Sequence, residues 1–147
     1  MKQSFMALTL ALALMFVGCG SGTSSSNNVS GNWSANLTGT NGSPSFAFTM
    51  TLFQNSDNTV SVSNLTFTTA TPCFTQGQTR ASGAFALNQN FSGTTNGSLT
   101  LVIQSTSGNG STLDLQATVV GNGADGTWTL KGADSDCNGS GNLTMSR

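Results

Sequence analysis

Phe46-Ala47-Phe48-Thr49-Met50-Thr51-Leu52 places a large apolar residue at every second position, with Ala or Thr between. Successive side chains on a strand point to opposite faces, so this period of two describes a strand with one buried face. An α-helix would scatter the same residues around its surface. The same pattern recurs on both sides of this stretch. Upstream, Trp33, Ala35 and Leu37 alternate with Asn32, Ser34, Asn36 and Thr38. Downstream, Val60 and Val62 alternate with Thr59, Ser61 and Ser63. The phase then slips to Leu65 and Phe67, which predicts a β-bulge near Asn64. Further runs follow at Ala81-Gly83-Phe85-Leu87, Leu99-Leu101-Ile103, Leu113-Leu115-Ala117-Val119, Trp128-Leu130 and Leu143-Met145.

Turn-forming residues separate the runs: Asn41-Gly42-Ser43-Pro44, Asn55-Ser56-Asp57-Asn58, Asn96-Gly97, Gly108-Asn109-Gly110 and Gly121-Asn122-Gly123. Asn, Asp and Gly accept the positive φ that tight hairpins need. Short hairpins make neighbouring strands antiparallel. The expected fold is therefore all-β, an antiparallel eight-stranded up-and-down barrel, which leaves no open edge. The alternative is a β-sandwich, which has the same strand and turn spacing.

Gly31-Asn32-Trp33 opens the first run and resembles the Gly-x-Trp signature on the first strand of lipocalin-like and avidin-like barrels. The triplet recurs at Gly126-Thr127-Trp128. The resemblance implies the barrel architecture more than any activity. The later motifs of lipocalins and their terminal helix are not visible in this sequence.

The segment before the strands has a different character. Lys2 precedes an apolar run from Phe5 to Val17, too short for the roughly 20 residues of a membrane-spanning helix. A charged start, a short apolar core and a small-residue end make 1–18 a secretory signal peptide. The run closes with Phe16-Val17-Gly18-Cys19-Gly20, which resembles the lipobox of bacterial lipoproteins, with Phe16 where Leu is usual. The resemblance implies a lipid on Cys19, a partner membrane reached through that lipid, and a place in the bacterial cell envelope. Gly20, where Asp would signal retention at the inner membrane, implies the outer membrane. Residues 19–29, rich in Gly, Ser and Asn, read as the lipidated Cys and a flexible tether. The barrel domain then runs over 30–147. With Cys19 lipidated, Cys73 and Cys137 remain and have one possible pairing, a disulfide in an oxidising compartment.

Composition narrows the function. The 147 residues are only 6% charged, with four basic and five acidic groups, and contain no His. Without a basic surface there is no electrostatic grip on nucleic acid. Without His the commonest general base and zinc ligand are missing. No cofactor is expected, and the chain does not read as an enzyme. Asp57 and Asp125 sit in turn-like segments and read as turn residues rather than an acid/base pair. Asp134-Ser135-Asp136-Cys137-Asn138-Gly139 matches the start of a calcium loop, but position twelve is Met145 instead of Glu. An ordinary Asp/Asn/Gly turn is the competing reading.

In an eight-strand meander, Cys73 and Cys137 fall in connections at one mouth. The long connection 69–78 then folds across that mouth as a lid. Trp33 and Trp128, read as starting strands one and seven, would plug the opposite mouth. A small apolar or amphipathic ligand would enter at the disulfide mouth, against Phe74, Gln76 and Arg80, and lie among the inward Phe46, Phe48 and Phe85. The other reading is a structural or interaction lipoprotein with a filled core and no ligand.

Overall fold

The structure is a computed structural model that describes residues 28–88, 95–108 and 110–147. Strands β1 (Gly31–Gly39), β2 (Phe46–Gln54), β3 (Thr59–Phe67), β4 (Thr79–Leu87), β5 (Asn96–Ser105), β6 (Thr112–Val120), β7 (Gly123–Lys131) and β8 (Gly139–Ser146) follow one another around the sheet. Each pairs antiparallel with its sequence neighbours, and β8 closes on β1 through pairs from Ser34↔Ser146 to Gly39↔Gly141. The result is a closed eight-stranded up-and-down barrel, not a sandwich. Closure gives the backbone groups at both ends of the sheet a partner.

The alternation sorts the side chains. Trp33, Leu37, Phe48, Met50, Leu52, Phe85, Leu99, Leu101, Ile103, Leu113, Trp128 and Leu130 are the largest fully buried residues. The residues between them are mainly Thr, Ser and Asn, and they face out. There they bond to one another, as in Thr51 Oγ1 to Asn32 Oδ1 at 2.8 Å and Asn64 Nδ2 to Thr51 Oγ1 at 3.3 Å. The barrel is apolar inside and polar outside. A membrane-spanning barrel has the opposite arrangement.

The bulge lies where the change of phase placed it. Thr49 faces Thr66 and Thr51 faces Ser63, so Asn64 and Leu65 together oppose Met50. Asn64 takes φ 50°, a left-handed conformation that Asn tolerates. β3 parts from β4 after Ser61, ahead of the bulge. The two strands share only Thr59↔Ala84, Val60↔Gly83 and Ser61↔Ser82, whereas β4 pairs with β5 along its whole length.

The meander defines two mouths. One carries the β1–β2, β3–β4, β5–β6 and β7–β8 connections and, with them, the disulfide. At the other, the chain enters β1, beside the β2–β3, β4–β5 and β6–β7 connections. The folded domain begins before residue 30. Val29, assigned to the tether by composition, is 0% exposed; its N–H donates to Gln54 Oε1 at 3.1 Å. Cys19, the signal segment and most of the tether lie outside the described residues.

Candidate functional site

At the disulfide mouth, Cys73 and Cys137 are bonded with their Cα atoms 5.4 Å apart. Cys137 ends a 3₁₀ turn, Ser135–Cys137, within the β7–β8 connection. Cys73 sits in the long β3–β4 connection, so the bond draws that connection over the barrel. Both residues are buried.

The connection brings Phe74 down onto the core. Phe74 is 5% exposed and stacks on Phe67, with ring centroids 5.0 Å apart and planes at 6°. Phe67 also meets Phe48 edge-on at 5.5 Å and Phe46 at 6.2 Å. Phe46 in turn lies edge-on to Trp128 at 5.6 Å. This continuous aromatic cluster fills the mouth at which a ligand was expected to enter. Phe74 is therefore part of the core and offers no open apolar surface.

The other expected contacts divide. Gln76 spans the gap between the connection and β3, its Nε2 donating to the Leu65 carbonyl at 3.1 Å. Arg80 is exposed on β4, opposite Gln104, and does not join the cluster. Phe85 is buried in the other half of the barrel, opposite Leu99. Phe46, Phe48 and Phe74 do come together. Phe67, which connects them, was visible as an inward strand residue but not as the centre of a cluster.

Trp33 is buried near the N-terminal mouth, and Trp128 does not join it there. β7 starts at Gly123, straight after the tight Gly121-Asn122 turn, so Trp128 is well along the strand towards the disulfide mouth. Its Nε1–H donates to the Thr38 carbonyl at 3.3 Å across Gly141. Each mouth therefore has one tryptophan. At the N-terminal mouth, Trp33 Nε1–H donates to the Val29 carbonyl at 2.8 Å, and the Arg147 guanidinium lies 5.2 Å from its ring centre.

Where β3 and β4 part, a cleft of about 270 Å³ opens on the barrel wall, lined by Val62, Asn64, Leu65, Gly77, Thr79 and Ala81. Val62, Leu65 and Ala81 pack against the core from there. The volume is just below the range of drug-sized pockets. Among the larger grooves, two of about 360 and 460 Å³ run along the outer face of β1 and β2, and one of about 300 Å³ lies across β5, β6 and β7. Ser34 and Thr49 line both of the first two.

At the calcium-loop candidate, Asn138 is engaged within the β7–β8 connection. Asn138 Oδ1 accepts from Gly132 N–H at 3.4 Å, and its Nδ2 donates to the carbonyls of Asp134 and Gly132. The side chain that should face the ion is tying the connection together. Among the described residues no three His, Cys, Asp or Glu side chains gather as metal ligands. Asp57 caps its turn: Oδ1 accepts from the Thr59 hydroxyl at 2.6 Å and from the Thr59 N–H at 3.0 Å. These bonds, the hydroxyl's first, hold its carboxyl below the ordinary value. Asp125 is not in a turn; it is an outward residue of β7 between Thr118 and Thr144.

No family model, curated protein or solved structure matches the chain.

Proposed function

We propose that this chain is a lipid-anchored, non-catalytic protein of the bacterial cell envelope whose barrel is a filled scaffold that works through its outer surface. The observation carrying this reading is the occupied interior. Side chains from all eight strands fill the barrel, Trp33 closes one mouth and the Phe67–Phe74 stack closes the other. A barrel of this strand number either holds one small ligand or is filled by its own side chains. The anchor rests on the Gly18-Cys19 junction and on the buried Cys73–Cys137 bond, which suits an oxidising compartment such as the periplasm.

A second reading has one observation in its favour. The β3–β4 cleft is apolar at Val62, Leu65 and Ala81, which pack against the core. A small apolar ligand would enter there, through the wall rather than a mouth.

Two measurements test the proposal. Radiolabelled palmitate should enter the wild type and not Cys19→Ala; equal incorporation removes the anchor. Native mass spectrometry of protein from its own host should give the lipidated polypeptide alone. A retained small molecule that is lost in Leu65→Gln would favour the second reading.

A further inference from the structure

Among the described residues, three large apolar side chains stand exposed: Phe53 at 62%, Val120 at 57% and Leu87 at 45%. All three lie at one mouth. Phe53 is next to the end of β2, and Leu87 and Val120 end β4 and β6. The neighbouring register agrees, since Leu52 faces Gly31 at the start of β1, and Val120 faces Gly123 at the start of β7. Three alternate strands thus deliver an apolar residue to the same rim. The rest of the barrel exterior is mainly Thr, Ser and Asn.

The chain enters the barrel at this rim. Val29 and Ser30 lie against it, with Arg147 Nη1 donating to the carbonyls of Asn28 and Ser30 at 2.9 and 3.1 Å. Between Cys19 and Asn28 there is chain enough to reach ~30 Å at most. A lipid on Cys19 therefore holds this mouth within ~30 Å of the bilayer.

We infer that the N-terminal rim docks on the lipid surface, with Phe53, Leu87 and Val120 entering the interfacial layer. The inference rests on the lipid-anchor reading and adds to it an orientation and a contact face. Apolar side chains favour that layer, and their burial there adds to the attachment that the lipid gives. The contact is apolar and not electrostatic. Arg80 and Lys131 lie towards the disulfide mouth, Asp57 lies at the rim, and the Arg147 guanidinium is bonded to the chain's own carbonyls and Trp33. Attachment should therefore be insensitive to salt, unlike that of a basic patch.

The test uses the full chain with whatever lipid it carries, in vesicles of phosphatidylethanolamine with a minority of phosphatidylglycerol. Phe53→Cys, Leu87→Cys, Val120→Cys and, at the opposite mouth, Lys131→Cys are each labelled with a polarity-sensitive fluorophore. The three rim labels should brighten roughly twofold or more and shift to the blue on vesicles, in low and high salt alike, and the Lys131 label should not. A label at Ser56→Cys, in the turn beside Phe53, should respond similarly and lose its response in Phe53→Ser/Leu87→Ser/Val120→Ser. Lipidated, vesicle-bound protein with silent rim labels overturns the docking and leaves the anchor standing. Unlipidated protein that still binds with responsive rim labels upholds the docking and removes the anchor. Protein neither lipidated nor bound overturns both. Rim labels that respond without vesicles, in proportion to protein concentration, would assign the rim to a second copy and overturn the docking.

Discussion

The guanidinium of Arg147 lies 5.2 Å from the centre of the Trp33 ring and bonds to chain from three separate segments. Nη1 donates to the Asn28 and Ser30 carbonyls, Nη2 to Thr95 Oγ1 and the Gly121 carbonyl, and Nε to Asn122 Oδ1. One planar, five-donor group thus joins the start of the domain, the approach to β5 and the β6–β7 turn over the Trp33 ring. Lys has neither the planar fork nor the donor count.

Arg147→Ala should therefore destabilise the domain by about 2–3 kcal/mol, from the lost cation–π contact and charge-assisted bonds. Arg147→Lys should recover less than half of the loss. Urea unfolding followed by Trp fluorescence measures both. A change within error for Arg147→Ala would mean that water replaces the guanidinium without cost.

Trp33→Ala and Trp128→Ala should each cost about 3–5 kcal/mol, as large-to-small changes at buried sites. Gly141→Ala tests the reach of Trp128 separately. A Cβ at position 141 would run into the Thr38 carbonyl oxygen and crowd the Trp128 indole nitrogen. Its expected cost is about 1–3 kcal/mol, with a changed near-ultraviolet dichroism signal from Trp128. An unchanged spectrum would mean that the indole does not cross Gly141.

Removing the disulfide by Cys73→Ala/Cys137→Ala should cost up to ~4 kcal/mol, the chain-entropy value for a sequence separation of 64. Phe74→Ala should cost about 2–4 kcal/mol, because its ring is part of the core and not a ligand contact. Denaturant midpoints with and without reductant measure the first. The second is checked on the oxidised protein, where a neutral result would detach Phe74 from the core.

Asp57 should titrate below its ordinary value of 3.8. A depressed carboxylate pKa adds stability above the unfolded value and loses it as the pH falls through the folded one. The loss therefore belongs to acid conditions, with no effect near neutrality. Carboxyl-carbon NMR gives the midpoint directly. Thr59→Val removes the hydroxyl, the larger cause, and should move the midpoint back up. An unmoved midpoint would assign the shift to the Thr59 N–H alone.

The strands, their inward residues, the bulge near Asn64 and the mouth shared by Cys73 and Cys137 are all legible in the chain. Each follows from local rules: side chains alternate on a strand, Asn and Gly turn the chain, and successive hairpins reverse its direction. Even closure is nearly local here, since a meander brings each strand beside the next. The position of Trp128 was missed because β7 begins at Gly123, where Ala124 and Gly126 carry too little apolar weight to mark a strand.

What only the tertiary structure decided is which side chains meet across the barrel. No spacing relates Phe67 to Phe74, Trp128 to Thr38, or Arg147 to Asn28, because these contacts cross the interior or join distant segments at one mouth. Interior volume has the same character. Alternation states that a face is buried, but whether the buried faces leave a cavity depends on how eight of them interlock. In this barrel Trp33 is buried near one mouth, and Phe74, stacked on Phe67, is buried at the other. The exposed Phe53, Leu87 and Val120 become one rim only because the alternate strands β2, β4 and β6 all end at the mouth where the chain enters.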